Sequence, residues 1–259
     1  MAPPNDSSLP TGVQMNRLQS GSLVVSEPLA ELLVNARTKY EWPKGAGTAR
    51  SQNTILELEA RVARLIKSLD LEGAHSIVAG VSLWGGNKKR AQADIDSASP
   101  QIRAGMMTAI GHMMGHSTLK NGLDDLSALP GLRLVMATKV YRFCCPATGA
   151  AVDRHASYFF NSLDVADTDG IRLKSTKFKR EWPDGTHKTS RLAAYIPSHH
   201  ATNRAEFVDT YLPLLGKIAD SLNALGATFK CGATGIEKSW HPADVEMAAY
   251  YWWAHHGLS

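Results

Sequence analysis

From Thr54 onward, Leu58, Val62, Leu65, Ile66 and Leu69 fall on one helical stripe, and Thr54 with Glu57 has capping-box spacing, so the pattern predicts a helix facing a core. A first helix is expected at about 27–39, and the Pro- and Gly-containing stretch Trp42 to Gly47 reads as a loop. Residues 74–84 are almost uncharged and apolar, a helix closed by Gly85-Gly86-Asn87. Further helices are expected at 88–96, at 100–115 with four methionines, and from Arg133 to about Cys145, where Pro146 ends the run. Another follows at 154–163, then a long one over 204–225 kinked at Pro213, and a last one from Pro242 to His255. Between Ile171 and Ile196 the pattern alternates around Pro183-Asp184-Gly185, which reads as a β-hairpin. Residues 1–21 are rich in Pro, Ser, Asn and Gly without periodicity and are expected to form a disordered tail. The class is mainly α with a β-hairpin insertion.

Composition narrows the picture. The chain has 259 residues, 44% hydrophobic and 20% charged, enough for a full core, and no stretch approaches the ~20 uncharged apolar residues of a membrane span. It reads as a soluble intracellular protein, expected in the cytoplasm and nucleoid-associated in a bacterium. Three cysteines, Cys144, Cys145 and Cys231, cannot make a disulfide framework, a four-cysteine zinc site or a four-cysteine iron–sulfur site. No cofactor is expected. Lys+Arg 28 against Asp+Glu 24 gives +4 and a pI near 8.9, which permits a polyanion partner without proving one.

The stretch from Leu126 to Asn161 carries the chemistry. A short helix, the turn Leu129-Pro130-Gly131-Leu132-Arg133 and a second helix make a helix-hairpin-helix, in which Gly lets backbone N–H groups point outward at the start of the second helix. Such a helix start can hold a phosphate without reading sequence. Together with Ala151-Val152-Asp153-Arg154-His155 downstream, this segment resembles the helix-hairpin-helix DNA glycosylase superfamily of endonuclease III and 8-oxoguanine glycosylase. The resemblance covers roughly residues 76–163 and implies a two-lobed helical fold, with 76–163 as the hairpin lobe and 22–75 plus 164–259 as the other. It implies double-stranded DNA as partner, a monomer, and cleavage of the N-glycosidic bond of a modified, damaged or mispaired base.

Within that resemblance Asp153 matches the catalytic aspartate, whose carboxylate stabilises an oxocarbenium-like sugar. The same residue is also placed to N-cap the next helix, and both roles stand. Arg133 occupies the hairpin's second glycine position, and Val135 the position of the catalytic lysine of bifunctional members. Lys139 lies one turn further on. It is either a displaced nucleophile of a glycosylase with lyase activity or, as preferred here, a phosphate-binding residue of a monofunctional enzyme. Trp84 and Asn87 are the candidates for a wedge that fills the stack vacated by an extruded base, and Lys88, Lys89 and Arg90 for flanking phosphate contacts, with Leu129, Gly131 and Arg133 in the hairpin.

Other features divide between functional and structural readings. The basic residues Arg172, Lys174, Lys177, Lys179, Arg180, Lys188 and Arg191 suit either a duplex backbone or a protected edge strand. His112 and His116 have metal-pair spacing but lack a third ligand, so no metal is expected. Tyr250 to Trp253 line either a base pocket or a core. A catalytically silent DNA-binding scaffold of the same fold is the alternative to the enzyme.

Overall fold

The computed structural model describes residues 14–17, 23–40, 52–86, 89–115, 118–167, 172–173, 178–179, 181, 196, 201–232 and 234–256. In chain order they begin with strands β1 (Gln14–Arg17) and β2 (Leu23–Val25), then helices α1 (Glu27–Thr38), α2 (Gln52–Leu65) and α3 (Leu71–Gly85). Helices α4 (Lys89–Asp96), α5 (Pro100–Met114), α6 (Leu119–Ala128), α7 (Leu134–Cys144) and α8 (Arg154–Ser162) follow. Next come strands β3 (Asp164–Asp167) and β4 (Arg172–Leu173), helix α9 (Ala201–Ala205), a π-helical stretch Glu206–Tyr211 and α10 (Leu212–Ala224). Strands β5 (Phe229–Lys230) and β6 (Glu237–Lys238) and helix α11 (Pro242–His256) complete the chain. The protein is mainly helical.

Two compact units emerge, one from residues 1–41, 153–177 and 209–259, the other from 42–152 and 178–208. In the first, α11 is the central element: it packs against α1, α8 and α10, and Pro242 through Tyr250 are all buried. Such burial on every side leaves no polar face, so its acids need partners. Asp244 takes one from Arg37 of α1, whose Nε lies 2.9 Å from Oδ1, while the guanidinium sits 4.5 Å from the Phe229 ring centroid. Removing one member would leave a buried charge uncompensated, the costly way to break such a pair. The sheet of this unit has the order β2-β1-β3-β4, with β1 antiparallel to β2 and parallel to β3. Ser221 Oγ of α10 accepts the Val25 N–H at 2.9 Å and ties β2 to the helices.

In the second unit α2 packs on α3 and α7 through the Leu58 and Val62 stripe, and α5 packs on α3, α6 and α7. The α5–α6 crossing is close because Gly122 has no side chain: a Cβ there would lie 2.6 Å from the Ala109 carbonyl oxygen and 2.8 Å from the Met113 nitrogen. Helix α3 starts at an Asp70 cap, whose Oδ1 accepts the Gly73 N–H at 2.6 Å, and stops at Gly86, which adopts φ 76°.

Several expectations change. The expected tail at 1–21 contains β1, because residues 14–17 find ladder partners in β2 and in β3, far away in sequence. The expected hairpin over 171–196 lies mostly outside the described residues; its Arg172–Leu173 pairs instead with β3, upstream of the expected hairpin. Helix α2 begins at Gln52, ahead of Thr54. The expected lobe boundaries at 76 and 163 also move, since α2 packs into the hairpin unit and α8 packs on α11. The kink expected at Pro213 takes the form of the π-helical stretch before it: proline has no N–H for the regular ladder and its ring crowds the carbonyl four residues earlier.

Two glycines should respond oppositely to alanine. Gly111, exposed within α5, has nothing within 4 Å of a built Cβ, so Gly111→Ala should gain about 0.5–1 kcal/mol from helix propensity. Gly122→Ala should lose about 1–3 kcal/mol through overpacking of the α5–α6 crossing. Urea unfolding of both variants reads the signs directly.

Candidate functional site

The hairpin is built by backbone hydrogen bonds around one glycine. Leu129 N–H donates to Leu126 O and Leu132 N–H to Leu129 O, each at 3.2 Å, while Gly131 takes φ 73°. A Cβ on Gly131 would lie 2.4 Å from the Ala91 carbonyl oxygen, so only glycine lets the turn press against α4. Arg133 then caps α7 in extended geometry at φ −137°, and its carbonyl accepts the N–H of Met136 at 2.8 Å and of Ala137 at 2.9 Å. Arginine tolerates that backbone conformation, which explains why the turn closes without a second glycine. The amides of Leu134 and Val135, ahead of Met136 in the first turn, have no acceptor within the helix.

The same close approach brings the turn beside the start of α4, where Lys89 and Arg90 are exposed. Asn87 and Lys88 lie outside the described residues. Among the described residues, therefore, Leu129, Gly131, Arg133, Lys89 and Arg90 gather around one helix start. Leu129 and Gly131 are partly buried and supply backbone geometry, while Arg133 is exposed.

Trp84 is not available as a wedge. It is buried, edge-on to Phe143 with ring centroids 5.0 Å apart. Its neighbour Leu83 is 59% exposed, on the last turn of α3. Lys139 is also buried: its Nζ donates to the Gly85 carbonyl at 3.1 Å and lies 5.7 Å from the Trp84 ring centroid. That placement takes it away from the solvent-facing phosphate role expected for it.

Asp153 N-caps α8 and is half-buried, its Oδ1 accepting the Ala156 N–H at 2.8 Å. The capping role is thus realised with one carboxylate oxygen. The residue before it is fixed from α7: Val152 N–H donates to Thr138 Oγ1 at 3.1 Å, and that hydroxyl donates to Val135 O at 2.9 Å. Around Asp153 in its own unit stand groups that sequence reasoning did not single out. Tyr211 is fully buried, and burial first, then the carboxylates of Glu246 and Asp153, hold its phenol well above the ordinary value, so it remains a hydroxyl. Glu246 is a buried acid on α11. The available signal was a lone glutamate between Val245 and Met247 in an otherwise apolar run. The aromatic stretch of α11 faces α8, with Tyr158 stacked on Trp253 at 5.7 Å and Phe159 edge-on to Trp252 at 5.6 Å.

Other candidates resolve into structure. His112 Nδ1 lies 2.8 Å from Asp125 Oδ2, while His116 is outside the described residues. Burial pushes the Cys144 thiol well up and that of Cys145 to about 11, so neither is an activated nucleophile. Among the described residues no helix is long and apolar enough to cross a membrane. No family model, curated protein or solved structure matches the chain.

His155 packs edge-on against Tyr250 at 5.1 Å, and burial, opposed by Asp153 and reinforced by Arg154, lowers its pKa. The fold therefore favours neutral imidazole. Unfolded histidine titrates near ~6.5, so this contribution is full above that pH and is lost as pH falls through the lower folded value. Stability should decline between about pH 7 and 5, and His155→Phe should flatten that slope in urea unfolding series. An unchanged slope would remove His155 from the acid response.

Proposed function

We propose that the protein is a monofunctional DNA glycosylase of the helix-hairpin-helix class that hydrolyses the N-glycosidic bond of a modified, damaged or mispaired base. The observation that supports this best is the closed Gly131 hairpin followed by Asp153, whose preceding residue is hydrogen-bonded to the hairpin's second helix. In this reading the exposed Arg133 at the positive start of α7 holds one phosphate, with Lys89 and Arg90 adding charge around it. Leu83 replaces Trp84 as the wedge: an exposed apolar side chain at a fixed helix end can enter the stack when a nucleotide is extruded.

Asp153 spends one oxygen on the cap and has the other for the sugar. The C–N bond breaks with its electron pair going to the base, the anomeric carbon becomes cationic, and the carboxylate stabilises that charge. Water then adds at that carbon, its proton passes to Asp153 or solvent, and the departing base takes a proton from solvent. A buried Lys139 donating to Gly85 favours water over an amine as nucleophile.

The cap itself favours a second reading, a DNA-binding scaffold in which Asp153 is only structural. Asparagine caps helices as well as aspartate, so Asp153→Asn separates the two. On the enzyme reading, base release from duplexes carrying a panel of lesions falls by about a hundredfold or more, while duplex affinity and unfolding midpoint hold. Alkali cleavage at abasic sites measures the release. Undiminished release in Asp153→Asn would take this carboxylate out of the chemistry, and no release by the unaltered protein from any lesion would favour the scaffold.

The wedge assignment has its own test. Leu83→Ala should reduce base release with little change in stability, because the side chain is 59% exposed. Trp84→Ala should unfold the protein at lower urea, by about 3–5 kcal/mol, because it empties a buried site.

A further inference from the structure

A buried ammonium needs a reason. Lys139 is 7% exposed, and a leucine or methionine would fill the same volume without desolvating a charge. Its Nζ donates at 3.1 Å to the Gly85 carbonyl, in the last turn of α3, where the helix dipole is negative and a cation is favoured. The two helices also touch at this point. A Cβ on Gly85 would lie 2.9 Å from Met136 Cε and 3.1 Å from Lys139 Cδ, so α7 lies directly on the α3 backbone. Met136 belongs to the first turn of α7, directly after the Arg133 cap, and Leu83 stands two residues before Gly85. Gly86 then ends α3 in left-handed geometry, its N–H returning to Leu83 O at 3.2 Å.

We infer that Lys139 is a positioning residue that locks the Leu83-bearing end of α3 to helix α7, so that the phosphate anchor and the wedge keep a fixed separation. The inference rests on the glycosylase reading for the roles of anchor and wedge, and on the hydrogen bond to Gly85 for the lock. It gives the displaced lysine a function other than nucleophile or phosphate ligand. A phosphate seated on α7 fixes that helix, and through Lys139 the end of α3 is held at the depth the stack requires. Without the lock, the anchor still binds but binding no longer drives the wedge in.

The test compares Lys139→Met and Lys139→Arg in the full chain on two duplexes. One carries a 2-aminopurine–cytosine mismatch, whose fluorescence rises on unstacking; the other carries a tetrahydrofuran abasic site, where no base has to be extruded. Lys139→Met should lower the unstacking equilibrium by about tenfold, as expected for loss of one charge-assisted hydrogen bond, and leave affinity for the abasic duplex within about twofold. Lys139→Arg, which keeps a charge and a donor, should recover part of the signal. Without DNA, amide hydrogen exchange at residues 83–86 should quicken in Lys139→Met while α5 and α6 keep their protection.

Equal losses on both duplexes, unchanged exchange at 83–86, or a borohydride-trapped adduct that depends on Lys139 would each overturn the assignment. If the unaltered protein bound neither duplex, the glycosylase reading would fall, and with it the wedge; the exchange comparison would still decide whether Lys139 holds the end of α3.

Discussion

The hairpin depends on an empty volume. At Gly131 the chain has φ 73° and passes so near the Ala91 carbonyl that a Cβ would lie 2.4 Å from its oxygen. This single close approach sets the turn against α4 and thereby decides which groups share its surroundings: Lys89 and Arg90 from α4, the start of α7, and the Arg133 cap. Any larger residue would have to move one of two backbones. Because α7 is buried along nearly its whole length, its direction is in turn imposed on α3 through Met136 and Lys139.

Helices were legible in the sequence where a stripe of apolar residues could be followed for several turns, as in α2 with Leu58 and Val62. The sheet was not, because its strands are two to four residues long and β1 pairs with β3 across most of the chain. The site was legible as far as backbone chemistry defines it. Gly131 announces a turn and Asp153 a cap, and both lie where those rules put them. What escaped was the facing of residues in uniformly apolar helices. Trp84 and Leu83 are adjacent on α3, about 100° apart around the axis, and no periodicity tells which of them meets Phe143 and which meets water. Lys139 and Glu246 failed for the complementary reason: a charged letter reads as solvent-facing, whereas here each is buried.

Each of the two units holds an ion pair with a buried arginine. In the unit built around α11, Arg37, Asp244 and Glu246 lie within an aromatic setting that includes Tyr40, Phe229 and Tyr211. In the other unit, Arg142 reaches Glu59 at 2.8 Å while lying beside the Phe143 ring. Each pair joins elements distant in sequence. Such contacts add little net stability over apolar replacements, but they penalise misaligned packing, since a slipped helix would strand a charge.

The chain threading of the α11 unit has a consequence for synthesis. Its pieces come from residues 1–41, 153–177 and 209–259, and Arg37 finds Asp244 only across the whole intervening chain. A ribosome delivers earlier residues first, so β1 and α1 leave the exit tunnel long before β3 exists to pair with the one and α11 to cover the other. The segment 42–152, by contrast, carries α2 through α7 in one continuous stretch and holds most of its partners as soon as it emerges. These early residues are thus housed late, and the nascent chain carries the β3-facing edge of β1 and the α11-facing side of α1 uncovered through most of the synthesis of this segment.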